Sequence, residues 1–196
     1  MNENSTGFYE EYKSLRQEIA NRRNARLYIL GFTLTIVGIL IGLTLGVNLN
    51  AIHGLDYYSL GLICFAMVMI IVALLMTIHH TQRKIIICAY IRKYIEPAVS
   101  GLQWETRWVR YLENRYSNPK AGGLPLEMSK TLALFYGFLT IATYSISFIT
   151  GLQKYWLSIL ILTVLALYAL ACSFDLYKRV SKGWKYNWDL IDKPKK

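Results

Sequence analysis

LYILGFTLTIVGILIGLTLGV, residues 27–47, runs for 21 residues without a charge. At 1.5 Å per residue a helix of that length is about 31 Å long, enough to cross a hydrocarbon core of about 30 Å. The helix of a soluble protein keeps a polar stripe toward water, and this stretch has none. The next charge-free run, residues 57–78, is 22 residues long and lies only nine residues further on, past His53 and Gly54. The two runs predict a tight helical hairpin that spans a membrane.

The pattern recurs. A third span is expected over residues 131–151 and a fourth over 155–174, with a very short tip carrying Lys154 between them. The expected fold is therefore all-α: a polytopic membrane protein with four transmembrane helices in two hairpins, and a helical cap outside the bilayer. Five segments follow: a cytoplasmic amphipathic arm (1–26), a first hairpin (27–78), a central helical segment (79–130), a second hairpin (131–174) and a basic, aromatic tail (175–196). The composition agrees, since 54% of the 196 residues are hydrophobic and only 17% charged, against about 25% charged in a soluble domain. Disorder, a collagen repeat and a disulfide-stapled secreted fold are excluded on the same grounds.

Orientation follows from Lys and Arg outside the spans. The arm has five, the central segment nine and the tail seven, whereas the two hairpin tips share one, Lys154. Short loops rich in Lys and Arg stay on the cytoplasmic side, so both termini and the central segment are expected there. The net charge of +10 is accounted for by this topology and by attraction to anionic headgroups. It is spread over three separate segments, and no direct nucleic-acid partner is expected. The first span follows a charged arm and is too long for a signal-peptide core, which suits an uncleaved anchor.

In the arm, Phe8, Tyr12, Leu15 and Ile19 recur at helical spacing and mark one face of an amphipathic helix that runs into the first span. Its role is either packing against the other cytoplasmic helices or coupling to them. The second span is predicted to continue as a helix past the membrane, with Ile85 to Ile95 apolar on one side and Arg83, Lys84, Arg92 and Lys93 on the other, until Pro97 ends it near Glu96. Beyond Ser100 and Gly101, Trp104, Trp108 and Leu112 at spacing four predict another helix, among Arg107, Arg110 and Arg115. Asn118, Pro119, Gly122, Gly123 and Pro125 read as a loop. Trp184 and Trp188 repeat the aromatic spacing in the tail. These four tryptophans either sit at headgroup level beside basic residues or form a docking surface for a soluble cytoplasmic protein.

No constellation for catalysis stands out. The expected spans hold no Asp, Glu, Lys, Arg or His, the residues that mark ion-coupled transport pathways. His79 and His80 are adjacent, so on a helix they point apart and do not make a two-point zinc site. Cys64, Cys88 and Cys172 lack metal-ligand spacing and read as small hydrophobes. Glu96, Glu105 and Glu113 read as partners of the surrounding Arg and Lys. No metal, cofactor or enzymatic activity is expected.

Two features of the spans remain. Gly38, Gly42 and Gly46 make two consecutive Gly-xxx-Gly steps, a strip where another helix can approach closely, either the neighbouring span or the same helix of a second subunit. Tyr136, Thr140, Thr143, Ser147 and Thr150 follow one face of the third span. Such hydroxyls bond to their own helix or a neighbour, or line a pore if several chains bring the stripes together.

The strings AYIRKYIEP (residues 89–97), GLQWE (101–105) and LRQEIANRRN (15–24) carry a resemblance. Together they resemble small bacterial inner-membrane proteins of unknown function that share a basic arm, a helical hairpin, an Ile-Arg-x-x-Ile-Glu-Pro turn and a Gly-Leu-x-Trp-Glu motif. The motif positions here are Arg92, Glu96, Pro97, Trp104 and Glu105, and the match covers about the first 115 residues. More loosely, the arm and first hairpin resemble the SLATT-type two-span modules and the four-span membrane subunits of bacterial antiviral defence systems. That resemblance implies a non-enzymatic effector or scaffold that oligomerises and disturbs the membrane when a cytosolic sensor signals. The second hairpin departs from the two-span modules, and no nucleotide-binding or nuclease domain is recognisable. The competing functions are thus an oligomeric, channel-like effector, a scaffold or receptor that recruits a soluble partner through its cap, and, last, a lipid-modifying enzyme.

Overall fold

The computed structural model describes residues 3–49, 56–99, 101–117, 128–149 and 156–182. They form five α-helices and one π-helical turn, with no strand among the described residues. Helix α1 is Glu3–Leu49, α2 is Asp56–Tyr90, α3 is Trp104–Ser117, α4 is Met128–Ile149 and α5 is Trp156–Lys182.

Helix α1 joins the arm and the first charge-free run without a break. Its 47 residues correspond to about 70 Å, more than twice the thickness of a hydrocarbon core. Helix α2 likewise continues beyond Ile78, because no glycine or proline interrupts the chain before Pro97. Its end is a π turn, Ile91–Ile95, closed by the Glu96 N–H donating to the Ile91 carbonyl at 2.9 Å. Pro97 has no N–H with which to continue the ladder. The chain reverses through Gly101, whose φ of +88° is a conformation that L side chains rarely adopt.

Three stretches are long and apolar enough to cross a membrane: Gly7–Gly46, Tyr58–Ile95 and Ile159–Arg179. The chain is thus an all-helical protein with three candidate membrane spans. The third expected span falls on α4, which is not one of the three.

The chain divides into two compact units, one comprising Met1–Ala25, His79–Leu126 and Arg179–Lys196, the other Arg26–Ile78 and Glu127–Lys178. The core of the second unit is built from Val37, Ile63, Met67, Ile70, Leu74 and Leu162, all of them buried. Its outward positions are no more polar: Phe32, Ile39, Phe65, Phe138, Leu167 and Phe174 are exposed. A soluble unit would cover so much contiguous apolar surface, whereas a bilayer solvates it.

Candidate functional site

In the first unit, Ile87, Ile91 and Ile95 form a small core against which Tyr12, Leu15 and Ile19 of α1 pack, together with Tyr90 and Leu102. Three of the four apolar arm positions marked by the sequence are therefore seated on the α2 extension. Phe8, the fourth, is exposed. At the polar edge of this packing the Tyr90 hydroxyl donates to Glu11 Oε1 at 2.9 Å.

Glu96, Trp104 and Glu105, three of the five residues singled out around the turn after the second span, come together here. Glu96 is buried, and its carboxylate accepts from the Glu105 N–H, from the Thr106 N–H at 3.0 Å and from the Thr106 hydroxyl. A carboxylate from the preceding turn thus satisfies the first free N–H groups of α3, and its charge complements the positive end of the helix. The sequence reading of Glu96 as a partner of nearby Arg or Lys is corrected: among the described bonds its partners are α3 backbone and Thr106. The turn that Pro97 and Gly101 impose aims its two oxygens at the helix start.

Glu105 does pair with arginine. Arg16 Nη1 lies 2.6 Å from Glu105 Oε1, with the glutamate side chain 8% and the arginine side chain 34% exposed. Cys88 hydrogen-bonds to the same carboxyl. Burial raises the Glu105 pKa above its ordinary value, and Arg16 pulls it part of the way back. The Arg16 guanidinium also lies 5.7 Å from the Tyr12 ring centroid and 5.9 Å from that of Trp104. One arginine thereby joins the arm to the start of α3 by an ion pair and by stacking.

With its inner side pinned by Glu96 and Glu105, α3 turns Trp104, Trp108 and Tyr111 outward. Trp104 is 58% exposed and Trp108 43%, and the Trp108 and Tyr111 rings stack at 5.4 Å. Arg107 and Arg110 are exposed on the same helix. Trp184 and Trp188 lie outside the described residues.

In the second unit the hydroxyl stripe of α4 is covered. Tyr136, Thr140 and Thr143 are fully buried. Thr140 donates to the Tyr136 carbonyl at 2.9 Å and Thr143 to the Leu139 carbonyl at 2.8 Å. The Tyr136 hydroxyl meets Thr77 Oγ1 of α2 at 3.4 Å and also bonds Thr33 of α1, so three helices share one polar contact. Nearer the other end, Tyr144 and Thr163 join α4 to α5 through hydroxyls 3.0 Å apart. Ser147 falls in α4, and Thr150 lies outside the described residues.

The glycine strip is uncovered. A Cβ built at Gly38, Gly42 or Gly46 would meet nothing within 4 Å. Of the two partners the sequence left open, the neighbouring span of the same chain does not take this face among the described residues.

His79 and His80 touch edge to face with ring centroids 5.9 Å apart. Among the described residues no three His, Cys, Asp or Glu side chains gather at a metal-binding distance.

No family model, curated protein or solved structure matches the chain.

Two residues escaped the sequence reading. Arg26 and Lys130, counted there as flanking charges, are buried in the second unit at 2% and 5% exposure. Nothing in a count of charges separates a covered cation from one in the headgroups. The hint lies in their position, immediately before the first and third expected spans.

Proposed function

We propose that the chain is a polytopic protein of the bacterial inner membrane with four spans and a cytoplasmic helical cap, acting without catalysis as a self-associating scaffold or receptor. The observation that carries this reading is the burial of Tyr136, Thr140 and Thr143 inside one chain, bonded to their own backbone and to α1 and α2. Hydroxyls engaged in this way hold helices together. They leave no polar stripe for several subunits to bring to a common axis, which weighs against a pore on that face.

The open glycine strip of α1 supports contact with a second copy, because close helix approach is what such a strip permits and nothing among the described residues of the same chain occupies it. The basic segments suit anionic headgroups on the cytoplasmic side. The cap, with Trp104 and Trp108 outward on a pinned helix, suits a soluble protein partner.

Native mass spectrometry of the detergent-solubilised protein tests the assembly. A single discrete oligomer is expected, and Gly42→Leu, which sets a branched side chain on the strip, is expected to reduce it to monomer. A wild-type monomer in several mild detergents would remove self-association from the proposal.

The second reading is the channel-like effector of antiviral defence. The uncovered strip favours it as well, since an effector of that kind must also assemble. It predicts dye leakage from proteoliposomes on activation. Leakage that Gly42→Leu abolishes would replace the scaffold by the effector.

A further inference from the structure

Helix α2 ends in a register that α3 holds in place. The bond from the Glu96 N–H to the Ile91 carbonyl, 2.9 Å, closes a turn with one residue more than an α-helical turn carries. Such turns are uncommon in helices and recur at functional sites. In the α register the Glu96 N–H would pass to the Arg92 carbonyl, and the Ile91 carbonyl would take the Ile95 N–H instead.

The backbone loses no bond in that exchange. Pro97 has no N–H to place in either register, so the ladder is already interrupted just beyond Glu96. The next donors, Ala98 and Val99, both bond the Ile95 carbonyl, at 3.1 and 3.2 Å, and travel with it. The apolar core accepts both registers as well, since a residue four places after Ile91 stays within about 60° of it around the helix in each. Ile91 and Ile95, both fully buried against the arm, keep the same side.

Glu96 is the residue that tells the registers apart. Passing from one to the other carries it by one ladder position, about 100° around the axis and about 1.5 Å along it. Its bonds to the Glu105 N–H, the Thr106 N–H and the Thr106 hydroxyl do not survive such a rotation, because hydrogen bonds weaken steeply with misalignment. The π turn and the grip on α3 are therefore one arrangement. The second tie of α3, Glu105 to Arg16 of the arm at 2.6 Å, does not pass through the turn and keeps the helix near when Glu96 lets go.

We infer that Ile91–Ile95 is a two-register switch. In the π register the end of α2 grips the start of α3, and in the α register it releases it. A pull on α3 is thereby converted into a change of register at the end of α2. The switch needs neither self-association nor a partner, and it goes beyond the scaffold reading by giving the cap a released form.

The coupling across the hydrogen bond, recorded by nuclear magnetic resonance on the deuterated full chain in detergent micelles, identifies the acceptor of the residue-96 N–H. The wild type is expected to couple to the Ile91 carbonyl. Glu96→Ala, which removes the grip and keeps the N–H, is expected to move the coupling to Arg92. Deletion of Lys93 takes out the extra residue and is expected to fix the gripping arrangement in an ordinary α-helix. The Glu96 N–H should then still couple to Ile91, and amide exchange at Glu105 and Thr106 should stay within about twofold of the wild type. In that background Glu96→Ala should leave the acceptor at Ile91. A full-length Glu96→Ala chain still coupled to Ile91 would mean a rigid turn, and one coupled to neither carbonyl a turn that melts; either result overturns the switch. Exchange at both amides that rises about tenfold or more on deletion of Lys93 overturns it too, because the extra residue would then be required for the grip itself.

Discussion

Glu105 shows how one carboxyl can be both costly and useful. Burial raises its pKa above the ordinary 4.5, and Arg16 offsets only part of that. Because the folded pKa lies above the unfolded one, the contribution of this group to stability is complete below about pH 4.5 and is lost as the pH rises through the folded value. Wherever the group is ionised, that form depends on its arginine. Removing Arg16 strands a charge that is 8% exposed, whereas Glu105→Gln removes the charge itself. Arg16→Gln is thus expected to cost about 1–3 kcal/mol and Glu105→Gln less, with the double variant recovering part of the loss. The melting temperature in mild detergent measures this. Relative to Glu105→Gln, the wild type should gain stability as the pH falls from 8 toward 5. An Arg16→Gln variant no less stable than Glu105→Gln would show that the pair does not hold the arm.

The same logic applies to α3 as an element. Its free N–H groups depend on Glu96, so Glu96→Ala is expected to cost about 1–3 kcal/mol and to speed amide exchange at Glu105 and Thr106. Glu96→Gln, which keeps one acceptor oxygen, should fall between. Unchanged exchange at both amides would mean that water caps the helix equally well. The boundaries of these helices were legible because proline and glycine act through the local backbone: Pro97 stops α2 and Gly101 turns the chain wherever the rest of the protein lies. The apolar spacing of Tyr12, Leu15 and Ile19 was legible for a similar reason, since a periodic face must be covered by something. The target of Glu96 was not legible. A carboxylate among arginines and lysines reads as an ion pair, and only the return of α3 onto Glu96 brings backbone N–H groups closer. The π turn Ile91–Ile95 left no sequence mark either. Its buried Ile91 and Ile95 follow the same four-residue spacing that an ordinary helix would show. Of the candidate site residues, the hydroxyl stripe could be read as a face, but whether lipid, water or protein covers that face is decided by helices distant in sequence.

At the scale of the whole chain the number of spans decides the topology. Three stretches meet the length and composition of a membrane span, while the sequence carries four charge-free runs, the third on α4. An odd number would put the two termini on opposite sides of the membrane. The tail after Phe174, with seven Lys and Arg, would then lie outside with the Lys154 tip inside, against the tendency of positive charge to remain cytoplasmic. Four spans remove the conflict, and α4 has the means to be the fourth. The hydroxyls of Tyr136, Thr140, Thr143 and Tyr144 are satisfied by its own carbonyls and by Thr77 and Thr163, which favours its entry into hydrocarbon. In a cysteine-free background, Ser5→Cys and Ser181→Cys should react with a membrane-impermeant maleimide only after the cells are permeabilised, and Lys154→Cys should react in intact spheroplasts. Labelling of Ser181→Cys from outside, with Ser5→Cys protected, would establish three spans and leave α4 on one side of the bilayer. The cap would then lose its basic tail to the opposite face, and the scaffold would have to present α3 without it.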